Sequence, residues 1–186
     1  QPIFNALTKA TKYSFNIIVG QSYSAVVEGI CSGLADFAWF GPVTYVQARE
    51  RGCVELLAVE VRKGSSVYYS GIFTNKNNTH INSLEDLKNK KVAFGDINST
   101  SSFVFPMAML VEAGINPIID LSKSQLTGSH ANSLKSLQAG IVDAAAASFN
   151  SYEKAVRQGS IDKDDFKVIA KSDPIPNPPL AMSIEL

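Results

Sequence analysis

Five small polar residues, Asn98, Ser99, Thr100, Ser101 and Ser102, stand in a row between a short apolar run (92–94) and a longer apolar stretch (103–113). The first run reads as a strand, 95–102 as a turn, and 103–113 as a helix that Gly114 ends with a left-handed stop. Such a turn sets hydroxyl donors beside the free N–H groups and positive dipole end of a helix, where an oxyanion is stabilised. Hydroxyls add donors without adding charge, so they suit a phosphate-like group that is held and later released. Capping a helix needs one Ser or Thr. Four hydroxyls exceed that need, and the first expectation is an anion site.

Composition narrows the classes around that site. At 186 residues the chain is long enough for one domain or two small lobes. Lys+Arg and Asp+Glu are both 17, and no basic run occurs, which argues against a nucleic-acid partner. No apolar stretch approaches the ~20 residues that span a bilayer. Gln1-Pro2-Ile3 is not a natural start, so an upstream segment is expected to precede it. The two cysteines, Cys31 and Cys53, fit no metal motif, and buried free thiols are the expected state. The two histidines, His80 and His130, are far apart, and no Walker or Rossmann glycine pattern occurs. No metal or nucleotide cofactor is expected.

The elements that position the turn come in two copies. A strand (15–19), a turn at Gly20–Ser22, a helix (from 23 or 24 to 32), a strand (34–40), a helix (44–50) and a strand (54–59) make the first. A helix (131–139), a strand (141–145), a helix from about 151 and a strand (166–170) repeat the order. At a constant offset of 107, Ser22-Tyr23 lies on Ser129-His130 and Gly33-Leu34-Ala35-Asp36 on Gly140-Ile141-Val142-Asp143. Thr44-Tyr45 lies on Ser151-Tyr152, and Gly52 on Gly159. Two copies of an alternating pattern predict two similar α/β lobes with parallel sheets flanked by helices. Ligands of such sheets sit beyond the carboxyl ends of the strands, so the cleft between the lobes is the expected site. Lobe one is expected over 1–75 with 180–186 returning to it, its opening strand missing, and lobe two over 76–179. The runs 67–75 and 171–184 read as two hinge crossings that allow closure.

The segments DFAWFGPVTYVQA (36–48), SLEDLKNKKVAFGDINSTSS (83–102), GSH (128–130) and GIVDAAA (140–146) make the family recognisable. The chain resembles the periplasmic phosphonate/phosphite/phosphate-binding proteins of ABC transporters, a type II solute-binding fold. That resemblance implies that Ser99, Thr100 and Ser101 bind the oxyanion, with contacts from His130, from Tyr23 across the cleft and from a hinge tyrosine placed at Tyr68. Tyr69, its neighbour, points to the opposite face of the strand. It also implies a permease partner and a periplasmic or lipid-anchored location, and the protein is expected to be a monomer. Tyr23 and His130 occupy the same slot in the two repeats, which supports their pairing. Trp39 and Phe40 are expected to pack in the core, with Trp39 lining the cleft, and Asp96 to cap or orient the serines. Ser148-Phe149-Asn150 and Asn177-Pro178-Pro179 are neutral where an ammonium-bearing ligand would need a carboxylate. A compact oxyanion (phosphite, methylphosphonate or phosphate) is therefore expected. Two other classes compete: a sensor domain of a signalling receptor built from the same lobes, and a serine hydrolase using Ser99 or Ser101 with His130 and Asp96. The absence of a G-x-S-x-G elbow weighs against hydrolysis.

Overall fold

The computed structural model describes residues 2–186. The chain begins with α1 (Pro2–Thr11), α2 (Tyr23–Cys31), β1 (Phe37–Trp39), α3 (Pro42–Glu50) and β2 (Val54–Val59). It passes through β3 (Val67–Tyr68) and β4 (Ser70–Asn75) to β5 (Lys91–Phe94), α4 (Phe105–Glu112) and β6 (Lys123–Leu126). Then come α5 (His130–Gln138), β7 (Ala144–Ser148), α6 (Phe149–Arg157) and β8 (Phe166–Lys171), and last β9 (Ile175–Pro176) and β10 (Pro179–Ser183).

The strands form a five-stranded sheet, β6-β5-β7-β4-β8, and a three-stranded one, β1-β10-β2. β5 runs parallel to β6 and β7, as the alternating pattern predicts. β4 lies antiparallel between β7 and β8, and β10 antiparallel between β1 and β2. The purely parallel sheets expected from sequence are thus corrected: the larger sheet is mixed, and both pairings of the smaller one are antiparallel. Each sheet takes in one hinge crossing, which arrives from the other lobe in the reverse direction. β4 therefore pairs residues 70–75 with the larger sheet, although the sequence reading grouped them with lobe one. The crossings meet in a short ladder, Val67 opposite Pro176 and Tyr68 opposite Ile175.

The duplication is visible in three dimensions. α5 begins 107 positions after α2 (130 against 23), α6 after α3 (149 against 42), and β7 after β1 (144 against 37). Matching caps open α2 and α5: Ser22 Oγ accepts from Ala25 N–H at 3.1 Å, and Ser129 Oγ from Asn132 N–H at 3.2 Å. Gly33 and Gly140 end them with φ of +73° and +68°, a conformation that favours glycine. The offset then breaks, because a short turn, Lys163–Asp165, precedes β8.

Several local expectations need correction. Residues 15–19 form no strand, and Ile17, Ile18 and Val19 are exposed. A β-branched run becomes a strand only with a neighbour to pair with, and none lies beside it among the described residues. The strands expected over 34–40 and 141–145 begin later, at Phe37 and Ala144. The residues before them turn out of the helix ends: Asp143 exchanges its N–H and carboxylate with the backbone of Lys91, both at 2.8 Å. β6, with the sequence KSQL, carries no apolar pattern and forms through its pairing with β5.

Both faces of the larger sheet are covered. Ile72, Val92, Phe94 and Leu110 pack on one side, and Phe73, Leu134, Leu137 and Phe166 on the other. That double burial explains the unbroken small-residue run of β7, every residue of which is buried. Val27, Ile30, Phe40, Ala48, Val54 and Ala181 make the smaller core.

Cys31 and Cys53 are joined in a disulfide, with Cα atoms 5.0 Å apart, which corrects the expectation of free thiols. α2 packs beside α3, so the end of one helix meets the residue just before β2; a separation of 22 in sequence gives no hint of this. Closing a loop of that length is worth about 3 kcal/mol in the chain-entropy picture. The Glu28–Arg51 ion pair ties the same two helices at the surface.

Candidate functional site

The polar turn folds around its own backbone. Asp96 carboxylate accepts from Asn98 N–H at 2.8 Å, and Asp96 carbonyl from Ser99 N–H at 2.9 Å, which sets the turn's entry. Val104 N–H then donates to Ser99 carbonyl, five residues back, at 3.1 Å. Residues Thr100–Val104 thus make one wide π turn ahead of α4, a form often found at functional sites. Ser99 Oγ accepts from Ser102 N–H at 3.2 Å. At Gly95 an added Cβ would lie 2.2 Å from Ser102 Oγ, so only glycine lets the loop close on the turn.

Thr100 and Ser101 line a cavity of about 510 Å³ between the two sheets, a size typical of small-molecule sites. Five helical N-termini reach it. Tyr23 comes from the start of α2, Gly41 from the cap of α3, Thr100 and Ser101 from the π turn, and His130 from the start of α5. Ser148, Asn150 and Ser151 come from the start of α6. Each such end carries roughly half a positive charge and unpaired N–H groups. The lining adds hydroxyls, an amide and an imidazole. Its formal charges are Glu60 and Arg62, which pair with each other. Such a cavity attracts an anion by oriented dipoles and neutral donors. A larger hollow of about 680 Å³ beside α4, lined by Met107, Val111, Ile115 and Ile118, is apolar and has no convergent donors.

His130 is tuned for donation. Ser148 N–H donates to its Nδ1 at 3.1 Å, so the neutral ring carries its proton on Nε2. Burial pushes its pKa down from 6.5 to about 4, which keeps the ring neutral at physiological pH. Burial pushes the Tyr68 phenol up, against the opposing hydroxyls of Ser101 and then Thr100 and with Tyr23 close by. Tyr68 lines the same cavity as Tyr23, Thr100 and Ser101. Tyr69 faces elsewhere, its ring 3.8 Å from Lys171 Nζ.

Direct bonds span the cleft. Val43 N–H, near the start of α3, donates to Thr100 Oγ1 at 3.0 Å, and Gln47 Nε2 donates to Asn98 Oδ1 at 3.2 Å. Among the described residues Thr100 Oγ1 acts only as an acceptor, which leaves its proton for a ligand. Behind the turn, Ser70 Oγ donates to Ser101 carbonyl at 2.7 Å, and Ser70 N–H donates to Ser172 Oγ at 2.9 Å. The polar turn is thereby tied to both hinge crossings.

The structure brings Tyr23, Tyr68, Thr100, Ser101 and His130 to one cavity. Ser99 stands behind it: the residue is 1% exposed, outside the lining, and its hydroxyl caps the turn. Trp39 lines the cavity but is exposed and lies outside the smaller core, which corrects the expectation that it packs there; Phe40 is buried in that core and also reaches the cavity. Sequence reasoning missed Glu60 and Arg62. Their position just past β2, at the carboxyl end of a strand, is the signal that could have found them. Among the described residues no group of three or more His, Cys, Asp and Glu side chains could hold a metal ion.

Comparison with known proteins adds an independent line. A family model described as the periplasmic substrate-binding protein of phosphonate ABC transporters matches residues 1–186. The phosphate-import protein PhnD of Mycolicibacterium smegmatis is 32% identical over 184 residues, covering 94% of this chain and 57% of that protein. The phosphonates-binding periplasmic protein of Escherichia coli is 28% identical, covering 96% of this chain and 54% of its own length. The chain thus spans little more than half the length of these relatives. PhnD1 of Prochlorococcus marinus, solved in complex with methylphosphonate, superposes with a TM-score of 0.84 at 24% identity, covering 97% of this chain and 68% of that one.

Proposed function

The chain belongs to the periplasmic substrate-binding proteins of phosphonate ABC transporters, and from that premise we propose that its cleft captures a small phosphorus oxyanion for delivery to a permease. Phosphite, methylphosphonate, another small phosphonate or phosphate would fit. The observation that carries this reading is the convergence of five helical N-termini on neutral donors in one cavity.

In this reading Thr100 and Ser101 hold the oxyanion through hydroxyls and backbone N–H groups. Ser99 shapes the turn that presents them. His130 donates through Nε2–H, and Tyr23 and Tyr68 close over the ligand from the other lobe and the hinge. Closure excludes water, which strengthens every hydrogen bond inside, and a permease recognises the closed form. No covalent step is involved, and the chain acts as a monomer. The Cys31–Cys53 disulfide fits an oxidising, extracytoplasmic compartment.

Isothermal calorimetry of the 186-residue chain against phosphite, methylphosphonate, phosphate and 2-aminoethylphosphonate tests the proposal. It expects saturable one-to-one binding of at least one compact oxyanion. Much tighter binding of 2-aminoethylphosphonate than of phosphite would refute the compact-ligand preference, and no binding of any of the four would refute the function.

A further inference from the structure

The cavity's only Asp, Glu, Lys or Arg side chains among the described residues are Glu60 and Arg62. Arg62 Nε and Nη2 donate to Glu60 Oε1 at 3.1 and 2.8 Å, and Nη2 also to Oε2 at 3.0 Å. The backbone holds this pair in place. Arg62 and Ser65 exchange N–H···O bonds at 2.8 and 3.0 Å around Lys63 and Gly64, both at positive φ. Asn177, 1% exposed in the return crossing, donates through Nδ2 to the carbonyls of Glu60 and Ser65, each at 2.9 Å. The loop is pinned to the hinge, so its charges stay at the cleft.

Resting on the oxyanion-binding reading, we propose that the Glu60–Arg62 pair is a charge-matched selectivity filter for the ligand's substituent. An ammonium entering the cavity must compete with the guanidinium for Glu60. A second anionic group must compete with the carboxylate for Arg62. The pair is partly open to water, its Arg62 and Glu60 side chains 53% and 31% exposed, so either exchange gives up a modest Coulomb attraction and a ligand with an uncharged substituent is preferred. Selectivity here comes from occupying both charges in advance. The chain has a carboxylate at its cleft, and Arg62 keeps it from acting as an ammonium receptor.

The test titrates methylphosphonate, 2-aminoethylphosphonate and phosphonoacetate into the wild type, Arg62→Gln and Glu60→Gln. The wild type binds methylphosphonate tightest. Arg62→Gln frees Glu60 and moves the affinity ratio towards 2-aminoethylphosphonate by about tenfold, the size of one charge-assisted contact. Glu60→Gln frees Arg62 and moves the ratio comparably towards phosphonoacetate. Ratios unchanged in both variants, with methylphosphonate still bound, would overturn the filter and leave the binding function standing. A wild type that binds none of the three would overturn the filter; if the same protein also fails to bind phosphite and phosphate, the oxyanion-binding reading falls with it.

Discussion

His130 shows how one side chain joins stability to recognition. Its Nδ1 takes the Ser148 N–H and burial holds its pKa near 4, so the folded protein favours the neutral ring. The unfolded chain titrates near 6.5. Stability from this difference is therefore complete above about pH 6.5 and is lost as pH falls towards 4, where both states become charged. The shift corresponds to about 3 kcal/mol at most. Melting curves from pH 7 to 4 should show a steeper acid loss in the wild type than in His130→Gln; parallel curves would mean that the ring is not buried neutral. At this scale the sequence was legible where repeats aligned: Tyr23 and His130 sit in matched slots and both reach the cavity. Ser99 was less legible, because a run of hydroxyls does not tell which one faces inward. A five-residue hydrogen bond from Val104 turns Thr100 and Ser101 to the cavity and leaves Ser99 as the cap.

At the scale of elements, the proposed closure rests on contacts between α3 and the π turn. α3 of the smaller lobe meets the π turn of the larger through Val43 to Thr100 and Gln47 to Asn98. The second bond lies outside the cavity lining, so in the proposed closure it stabilises the closed form without touching ligand. One hydrogen bond is worth about 0.5–1.5 kcal/mol net. Gln47→Ala should thus weaken methylphosphonate binding roughly twofold to tenfold, chiefly through faster release in stopped-flow measurements. An unchanged dissociation rate would show that this contact does not govern closure. Helix positions were readable from caps and C-terminal glycines, and α2, α3, α5 and α6 fall near their expected places. Strand direction was not readable. The return of 180–186 to lobe one was expected, but not that β10 runs antiparallel between β1 and β2, nor that β4 completes the larger sheet, since both depend on where the crossings land.

At the scale of the whole molecule, two lobes share one design of 107-residue offset and face their helix N-termini into a common cleft. The disulfide was the part least visible in sequence, because its cysteines, 22 positions apart, meet only when α2 packs on α3. Glu60 and Arg62 are neighbours in sequence, and what stayed hidden was that their loop faces the cleft. The central claim is that an oxyanion is held between the lobes by Thr100 and Ser101. Trp39 is the chain's single tryptophan and lines the same cavity, so its emission reports occupancy directly. The decisive measurement is a Trp39 fluorescence titration with methylphosphonate of the wild type and of the Thr100→Val/Ser101→Ala double variant. The account predicts a saturable change in the wild type and an affinity at least about a hundredfold weaker in the variant, from the loss of two hydroxyl contacts to a charged group. Equal affinity in the two proteins would place the anion elsewhere and contradict the account.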